Sequence, residues 1–277
     1  MIITLSISGL LLFALIFGKI NLSIQFNKKV KKLFAESEIV TPRTFKYSQL
    51  LGLPEPVQRY FRYVLKEEQP YISYVKLTHA GQFKTGKDKK WIDIKGEEYF
   101  TVSTPGYIWK GTTAMFTARD MYISGEGRLI VSLLSLINVV DGKGKQYDQG
   151  ELLRWLSESV LFPTNLLPSE KLEWIPIDKN NAKLTFDYKG MSLFFIVTIS
   201  DIGEITQMET ERYMDKEKLE TWVVKMTDYK EMNKVKIPTS VEVLWKLEKG
   251  DFSYARFNGI DIVYDDSLLL RKFKSPV

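Results

Sequence analysis

The sequence has no cysteine and a single histidine among its 277 residues. The lack of cysteine excludes disulfides, thiolate metal sites, cysteine nucleophiles and iron–sulfur clusters. A single histidine excludes any metal site that takes two or three histidines from one chain. The phosphate, dinucleotide, zinc and hydrolase motifs GxxxxGK[ST], GxGxxG, HExxH and GxSxG are also missing. We therefore expect no cofactor and no bound metal, and we assign no catalytic residue.

The excess of positive over negative charge is concentrated in one short segment. Lysine and arginine total 39 against 34 acidic residues, a net charge of +5, but four lysines cluster at Lys28, Lys29, Lys31 and Lys32. The rest of the chain is close to balanced, which argues against a nucleic-acid partner. With 44% apolar and 13% aromatic residues, the chain is expected to fold around a substantial core.

The N-terminus carries the longest stretch that is nearly free of charge. Between residues 2 and 27 the only charged side chain is Lys19. A helix here would come close to crossing the hydrocarbon core of a bilayer, and the basic start and cleavage site of a signal peptide are missing. We expect residues 1–27 to form a retained single-pass anchor in the cell membrane and residues 28–49 a basic juxtamembrane linker. The lysines favour a cytoplasmic body by the positive-inside rule.

Phe26, Val30, Leu33 and Phe34 have helical spacing within this basic region. Two interpretations remain open at this point. The membrane helix either continues into a solvated basic turn or becomes a juxtamembrane helix lying on anionic lipid.

Residues 50–277 are predicted to form a single β-rich domain. A short helix is expected around Pro54, followed by strands of period two from Tyr71 and again from Leu172. Two helices are predicted midway, at Arg128–Val140 and Gln149–Phe162. The fold class is α+β: an N-terminal transmembrane helix, then a mostly antiparallel, half-barrel-like curved sheet with two inserted helices.

Few residues suggest chemistry. His79 shares a strand face with Val75 and Leu77, which favours a half-buried, hydrogen-bonded histidine over a general base. Glu97 and Glu98 are adjacent on a strand and should point to opposite faces. An enzyme that uses paired carboxylates is therefore the least favoured function.

The predicted helix Gln149–Phe162 holds Glu151, Arg154 and Glu158 at spacings that allow contact. They form either an exposed ladder of ion pairs or a site in which Arg154 points inward. In the second case Arg154 would hold a ligand's carboxylate or phosphate bidentately. The tryptophans are abundant, and a concave sheet lined with aromatic residues under apolar helices makes an apolar pocket. The candidate ligand-binding residues are Trp109, Arg154, Trp155, Glu158 and Trp245.

Several segments together carry a resemblance to a known family: GELLRWLSESVLFPTNLLP, TPGYIWKG, ARDMYISGEGRL, METERY and KIPTSVEVLWKLEKGDFSYARFNGIDIVY. They resemble an uncharacterised bacterial family of membrane-anchored proteins, over about Leu53 to Tyr264. By architectural analogy, the meander with inserted helices is similar to the half-barrel of the lipoprotein-localisation carriers. That analogy implies an extracytoplasmic body, in conflict with the lysines. The chain differs from those carriers in its expected uncleaved anchor and in the lack of a lipobox cysteine.

These observations favour a membrane-anchored, non-enzymatic protein that binds a lipid or other apolar ligand between sheet and helices. The alternative is a membrane-tethered scaffold domain that binds a partner protein through an exposed apolar patch.

Overall fold

The structure, a computed structural model, describes residues 2–37 and 42–274, without the side chains of residues 2–8, 11 and 274. Within these ranges the α-helices are α1 (Ile2–Ala35), α2 (Glu55–Val64), α3 (Lys145–Glu158) and α4 (Ser267–Lys274). The first six strands are β1 (Tyr74–Phe83), β2 (Ile92–Thr101), β3 (Gly106–Thr112), β4 (Phe116–Ile123), β5 (Glu126–Leu133) and β6 (Ile137–Lys143). The others are β7 (Leu172–Pro176), β8 (Asn181–Tyr188), β9 (Met191–Ile199), β10 (Ile205–Tyr213), β11 (Leu219–Met232), β12 (Val235–Lys246) and β13 (Phe252–Tyr264).

The described strands form one antiparallel sheet in the order β6-β5-β4-β3-β2-β1-β13-β12-β11-β10-β9-β8-β7. Two meanders therefore meet where β1 pairs with β13. Helix α3 connects the edge strands β6 and β7 along the chain. It contacts both arms of the sheet, β1 to β6 and β7 to β13. Asp148 accepts a hydrogen bond from the Gly127 amide of β5, and Gln149 donates one to the backbone carbonyl of Glu211 on β10. The sheet is thus strongly curved, and α3 lies on its concave side, called the inner face below.

The larger core fills the inner face. It is formed where apolar side chains of α2, of α3 and of the short 3₁₀ turns after α3 pack against strands β8 to β13. The helix predicted near Pro54 is therefore confirmed as α2, and its amphipathic face is the buried one. Arg59 fixes its orientation by donating to the backbone carbonyls of Ser200 and Lys179.

The outer face is covered by the second half of α1. Phe26, Val30, Leu33 and Phe34 are all buried there, against a group of residues from β1 to β5 and α4: Tyr74, Tyr99, Ile108, Met121, Ile123, Ile130 and Phe273. The helical spacing of these α1 residues thus reflects packing on the sheet, neither a solvated turn nor contact with lipid. Residues 28–35 continue α1, and residues 38–41 of the predicted linker lie outside the described residues.

The predicted transmembrane helix is not supported. No helix in the described part of the chain is both long enough and apolar enough to cross a membrane. The side chains of residues 2–8, where the prediction began, lie outside the described set.

The helix predicted over Arg128–Val140 is wrong, because this segment forms the β5–β6 hairpin. Leu129 and Val131 line a cavity on the inner face, whereas Ile130 is buried beside α1 on the outer face. Both faces of β5 are covered, so the strand shows no alternation of apolar and polar residues. The turn places Leu134 and Ser135 at φ 51° and 62°. Hairpin turns of this conformation usually carry Gly or Asn, so the usual signal was missing.

The second inserted helix is confirmed as α3, which begins four residues earlier than predicted, at Lys145. It continues through a 3₁₀ turn (Ser159–Leu161) and stops before Pro163, as expected from the ring of proline. The sheet is antiparallel and curved, as predicted.

A cavity between the inner face and helix α3

A cavity of about 800 Å³ lies between α3 and the inner face of the sheet. Its apolar walls come from both arms, with Ala118, Leu129, Val131 and Val139 on one side and Val224, Val243, Ala255 and Phe257 on the other. Aromatic side chains complete the lining, among them Trp109, Trp222, Trp245 and Tyr254. The volume is in the usual range for sites that enclose a small molecule.

Strand register explains why space is left at this place. His79, Gly96, Gly111 and Ala118 lie side by side across β1 to β4, and therefore on one face. A Cβ atom on Gly96 would collide with the His79 ring, and one on Gly111 would collide with the Trp109 ring. The two glycines let both rings lie over the strands, where they are parallel to within 3°.

His79 is part of this aromatic floor. It is buried, and its Nε2 accepts a hydrogen bond of 2.9 Å from Trp109 Nε1. Burial lowers the pKa of His79 to about 4, with the nearby charge of Arg154 acting in the same direction. A neutral imidazole that accepts through Nε2 serves to hold Trp109, as expected for a structural histidine.

Arg154 occupies the centre of the floor. Glu98, Trp109 and Asp120 form the next row across the strands, so both carboxylates face α3. From α3, Arg154 donates from Nη2 to Glu98 Oε1 (3.1 Å), from Nη1 to Asp120 Oδ2 (2.6 Å) and from Nε to Glu158 Oε1 (3.1 Å). Its guanidinium also lies 4.8 Å from the centroid of the Trp109 ring. All three nitrogens of Arg154 are thus engaged by the protein itself.

One guanidinium faces three carboxyl groups in this Arg154 cluster, the buried Glu98 and the half-buried Asp120 and Glu158, so the acidic groups are in excess. Burial raises the pKa of Glu98 well above its ordinary value, and the charge of Glu158 adds to the effect. Burial also raises the pKa values of Asp120 and Glu158. A carboxyl group that keeps its proton relieves this repulsion, and Glu98, which is 1% exposed, is the strongest candidate.

Glu151 lies one turn before Arg154 on α3. It accepts a short hydrogen bond from the hydroxyl of Tyr107. Burial raises the pKa of Glu151 to about 7, and the charge of Asp120 contributes. Glu151 therefore changes charge near neutral pH. Within residues 2–37 and 42–274, no three histidine or acidic side chains are placed to hold a metal ion.

Arg212 enters from the opposite wall, on β10. Gln149 of α3 holds the backbone on both sides of it, donating to the Glu211 carbonyl and accepting from the Tyr213 amide, each at 3.2 Å. The guanidinium lies 4.6 Å from the centroid of the Trp222 ring and 4.0 Å from Glu151 Oε1. That distance to Glu151 is too long for a hydrogen bond.

Comparison with known proteins agrees with the resemblance noted from the sequence. A family described as a family of unknown function, DUF6544, matches residues 43–257. The chain belongs to this DUF6544 family. All residues that line the cavity fall within the match, whereas α1 precedes it. No curated protein matches the chain. Among solved structures it is similar to the LolA superfamily protein NE2245 from Nitrosomonas europaea, with 12% identity, a TM-score of 0.42, and coverage of 76% of this chain and 92% of that one.

Four of the five predicted site residues border the cavity of this DUF6544 protein: Trp109, Arg154, Glu158 and Trp245. The fifth, Trp155, does not. Its ring is 1% exposed, packs beside Phe186, and donates from Nε1 to the carbonyl of Thr101. A helix turns its side chains by about 100° per residue, so the neighbour of an inward-facing Arg154 faces elsewhere.

Sequence reasoning missed Asp120, Tyr107 and Arg212 and set Glu98 aside. The expectation that Glu97 and Glu98 diverge is confirmed, since Glu97 pairs with Lys110 on the outer side while Glu98 meets Arg154. Strand parity was the available signal for Arg212. It shares a face with Met208 and Thr210, which are both buried, opposite the more exposed Glu209 and Glu211.

Proposed function

We propose that this DUF6544 protein binds a lipid-like amphiphile in the cavity under α3, without chemical turnover. The observation that carries the proposal is the cavity of about 800 Å³ itself, with apolar walls and a charged floor. Apolar walls favour an acyl or similar chain by the hydrophobic effect, and a few convergent polar groups fix one end of such a ligand.

The proposal is tested by filling the cavity. Ala118 lies in the row of small residues that creates it, so Ala118→Phe should remove much of the space. Ala80→Phe is the matched control, because Ala80 is exposed on β1 outside the cavity. The full chain is titrated with the neutral fluorescent probe N-phenyl-1-naphthylamine, and organic extracts of the purified protein are examined by mass spectrometry. We expect saturable probe binding that Ala118→Phe abolishes and Ala80→Phe preserves. Equal binding by both variants would refute the proposal.

We also propose that the protein works at the surface of an anionic membrane. The first half of α1 exposes Leu10, Phe13, Phe17 and other apolar side chains, and the tip of the β5–β6 hairpin exposes Leu134 and Ile137. The two surfaces meet, since a Cβ on Gly18 of α1 would collide with Leu136 of the hairpin. An exposed apolar surface of this kind marks a contact site.

Two features favour a bilayer as the partner that contacts this apolar surface. The exposed lysines of α1 follow it directly: Lys19, Lys28, Lys31 and Lys32. Basic residues beside an exposed apolar surface suit anionic headgroups. The hairpin also borders the cavity through Leu133, Val139 and Val140, which gives a ligand a short path between bilayer and cavity.

Sedimentation with lipid vesicles tests this location. Phosphatidylcholine vesicles with and without phosphatidylglycerol are compared, and binding should require the anionic lipid. Ile137→Ser should weaken it, whereas Ile202→Ser should not, although the two side chains are 64% and 63% exposed. Failure to sediment with either vesicle would overturn the membrane location and favour a protein partner for the apolar surface.

Acid–base catalysis is a second candidate, favoured by one observation. Glu151 borders the cavity, and its pKa of about 7 suits a group that exchanges protons at neutral pH. A comparison of ligands that co-purify with the wild type and with Glu151→Gln decides the matter. Ligand masses related as substrate and product would indicate turnover, and identical masses would exclude it for that ligand.

A further inference from the structure

The guanidinium of Arg212 has hydrogen-bond donors for which the described residues provide no acceptor. Among the described residues it donates no hydrogen bond, and its one ion pair is the 4.0 Å contact with Glu151. Its side chain is nonetheless only 14% exposed, similar to the 12% of Arg154. A guanidinium carries five N–H donors, and leaving charged donors unpaired in a sheltered site costs free energy.

The surroundings hold Arg212 in position for an acceptor inside the cavity. The Trp222 ring supports one side of the guanidinium, and Gly150 of α3 lies on another. A Cβ on Gly150 would be 3.0 Å from Arg212 Nε, so glycine keeps this nitrogen from being crowded. The hydrogen bonds of Gln149 to the flanking backbone fix the strand itself.

The charged groups near Arg212 leave room for an incoming anion. The charge of Arg212 acts to lower the pKa values of Glu151 on α3, Asp120 on β4 and Tyr254 on β13. Asp215 and Lys216, which follow β10, also border the cavity. Asp120 is already bound to Arg154. When Glu151 takes up a proton, Arg212 has no ionised partner of its own among the described residues.

We infer that Arg212 binds the anionic head of the amphiphile, a carboxylate or a phosphate, while the chain of the ligand lies along the apolar walls. This assignment rests on the proposed function, since it needs a ligand in the cavity. It moves the headgroup contact from Arg154, whose nitrogens are all engaged, to the arginine on the opposite wall. Arg–carboxylate and Arg–phosphate pairs are commonly bidentate, which suits a guanidinium with free donors.

Displacement of N-phenyl-1-naphthylamine from the full chain tests the inference. The competitors share one alkyl chain and differ in the head: dodecanoate, dodecyl phosphate, dodecanol and dodecylamine. We expect one or both anions to bind about ten- to a hundredfold more tightly than dodecanol, the range of a charge-assisted hydrogen-bonded pair. The relative affinities of dodecanoate and dodecyl phosphate identify the head.

Arg212→Gln should reduce the preference for anions over dodecanol to about twofold or less, while dodecanol itself binds as before. Arg256→Gln is the matched control, because Arg256 pairs with Glu242, is exposed and does not border the cavity. The preference for dodecanoate over dodecanol should also increase as the pH falls from about 8 to about 6, and Glu151→Gln should remove this dependence. Dodecyl phosphate is left out of this comparison, because it takes up its own second proton in the same range.

The outcomes separate the two proposals. If the probe binds and all four heads compete equally, or dodecylamine competes best, the role of Arg212 is refuted and the apolar cavity stands. If neither the probe nor any competitor binds, the proposed function itself fails. If Arg212→Gln does not fold, equal competition by all four heads in the wild type still refutes the inference.

Discussion

Two arginines face the same cavity from opposite walls, and they differ in their hydrogen-bond partners. Arg154 on α3 donates to three carboxyl groups from β2, β4 and α3, whereas Arg212 on β10 donates to none within the described residues. Their exposure is almost equal, so burial alone does not distinguish them. An arginine whose three nitrogens all donate to the protein is part of the architecture, and one that donates to no described residue is available to a ligand.

Removal of Arg154 should have the largest effect on stability. Arg154→Met leaves the buried Glu98 and the half-buried Asp120 and Glu158 without their common partner, and the free energy of unfolding should fall by about 3–5 kcal/mol. Urea denaturation at pH 7 measures it. Arg256→Gln, which breaks an exposed pair, should change the same quantity by less than about 1 kcal/mol. Equal losses in the two variants would contradict the structural role of Arg154.

Acid should destabilise the folded protein through His79, which lies in the aromatic floor of the cavity. Its pKa is about 4 in the folded protein against 6.5 for the ordinary group, so below pH 6.5 the unfolded state binds the proton first. Its contribution to stability is complete above about pH 6.5 and is lost as the pH falls towards 4. The loss amounts to at most about 3 kcal/mol.

Glu98 and Glu151 have raised pKa values, so their contribution to stability grows as the pH falls, opposite to that of His79. Both groups are present in the wild type and in His79→Gln, so the difference between the two proteins isolates the effect of His79. The difference in unfolding free energy between wild type and His79→Gln, measured by urea denaturation at several pH values, should shrink from pH 7 to pH 4. A difference independent of pH would show that His79 does not titrate in this window.

Removal of Arg212 should cost little stability, in contrast to Arg154. Arg212→Gln loses the contact with the Trp222 ring and a long ion pair, so the free energy of unfolding should fall by about 1 kcal/mol or less. The same urea experiment measures it. A loss as large as that of Arg154→Met would mean that Arg212 is structural, and the comparison between the two walls would fail.

The smallest effect is expected for Glu98→Gln. If Glu98 keeps its proton at pH 7, glutamine preserves its shape, its acceptor for Arg154 and a donor, and stability should change by about 0.5 kcal/mol or less. Glu98→Leu removes the acceptor for Arg154 and should cost about 1–3 kcal/mol. A large loss in Glu98→Gln, seen in thermal or urea unfolding, would show that Glu98 is ionised.

Apart from β5 and β6, the strands of the two meanders were predictable because each carries its own signal. YVKLTHAGQF has period two and forms β1 over its full length. The β5–β6 hairpin could not be recognised in this way, since α1 covers one face of β5 and the cavity borders the other. Its turn at Leu134 and Ser135 has positive φ without glycine, so the local sequence does not indicate a hairpin.

The candidate site was only half predictable. The spacing of Glu151, Arg154 and Glu158 allowed both an exposed ladder and an inward-facing arginine, because i,i+3 and i,i+4 contacts are local to a helix. The decisive partners Glu98 and Asp120 are 56 and 34 residues away in sequence. Contacts at such separations depend on strand register, which no local pattern reveals.

By itself, the sequence determined the sheet of antiparallel strands, the position of α3, the lack of thiol and multi-histidine chemistry, and the opposite orientation of Glu97 and Glu98. These properties follow from composition and from the periods of helix and strand, which act over a few residues. The tertiary structure alone decided that the end of α1 packs on the sheet, that all three nitrogens of Arg154 donate to carboxyl groups, and that Arg212 donates no hydrogen bond to a described residue. The reason is that burial and hydrogen-bond partners depend on which distant strands and helices the fold brings together.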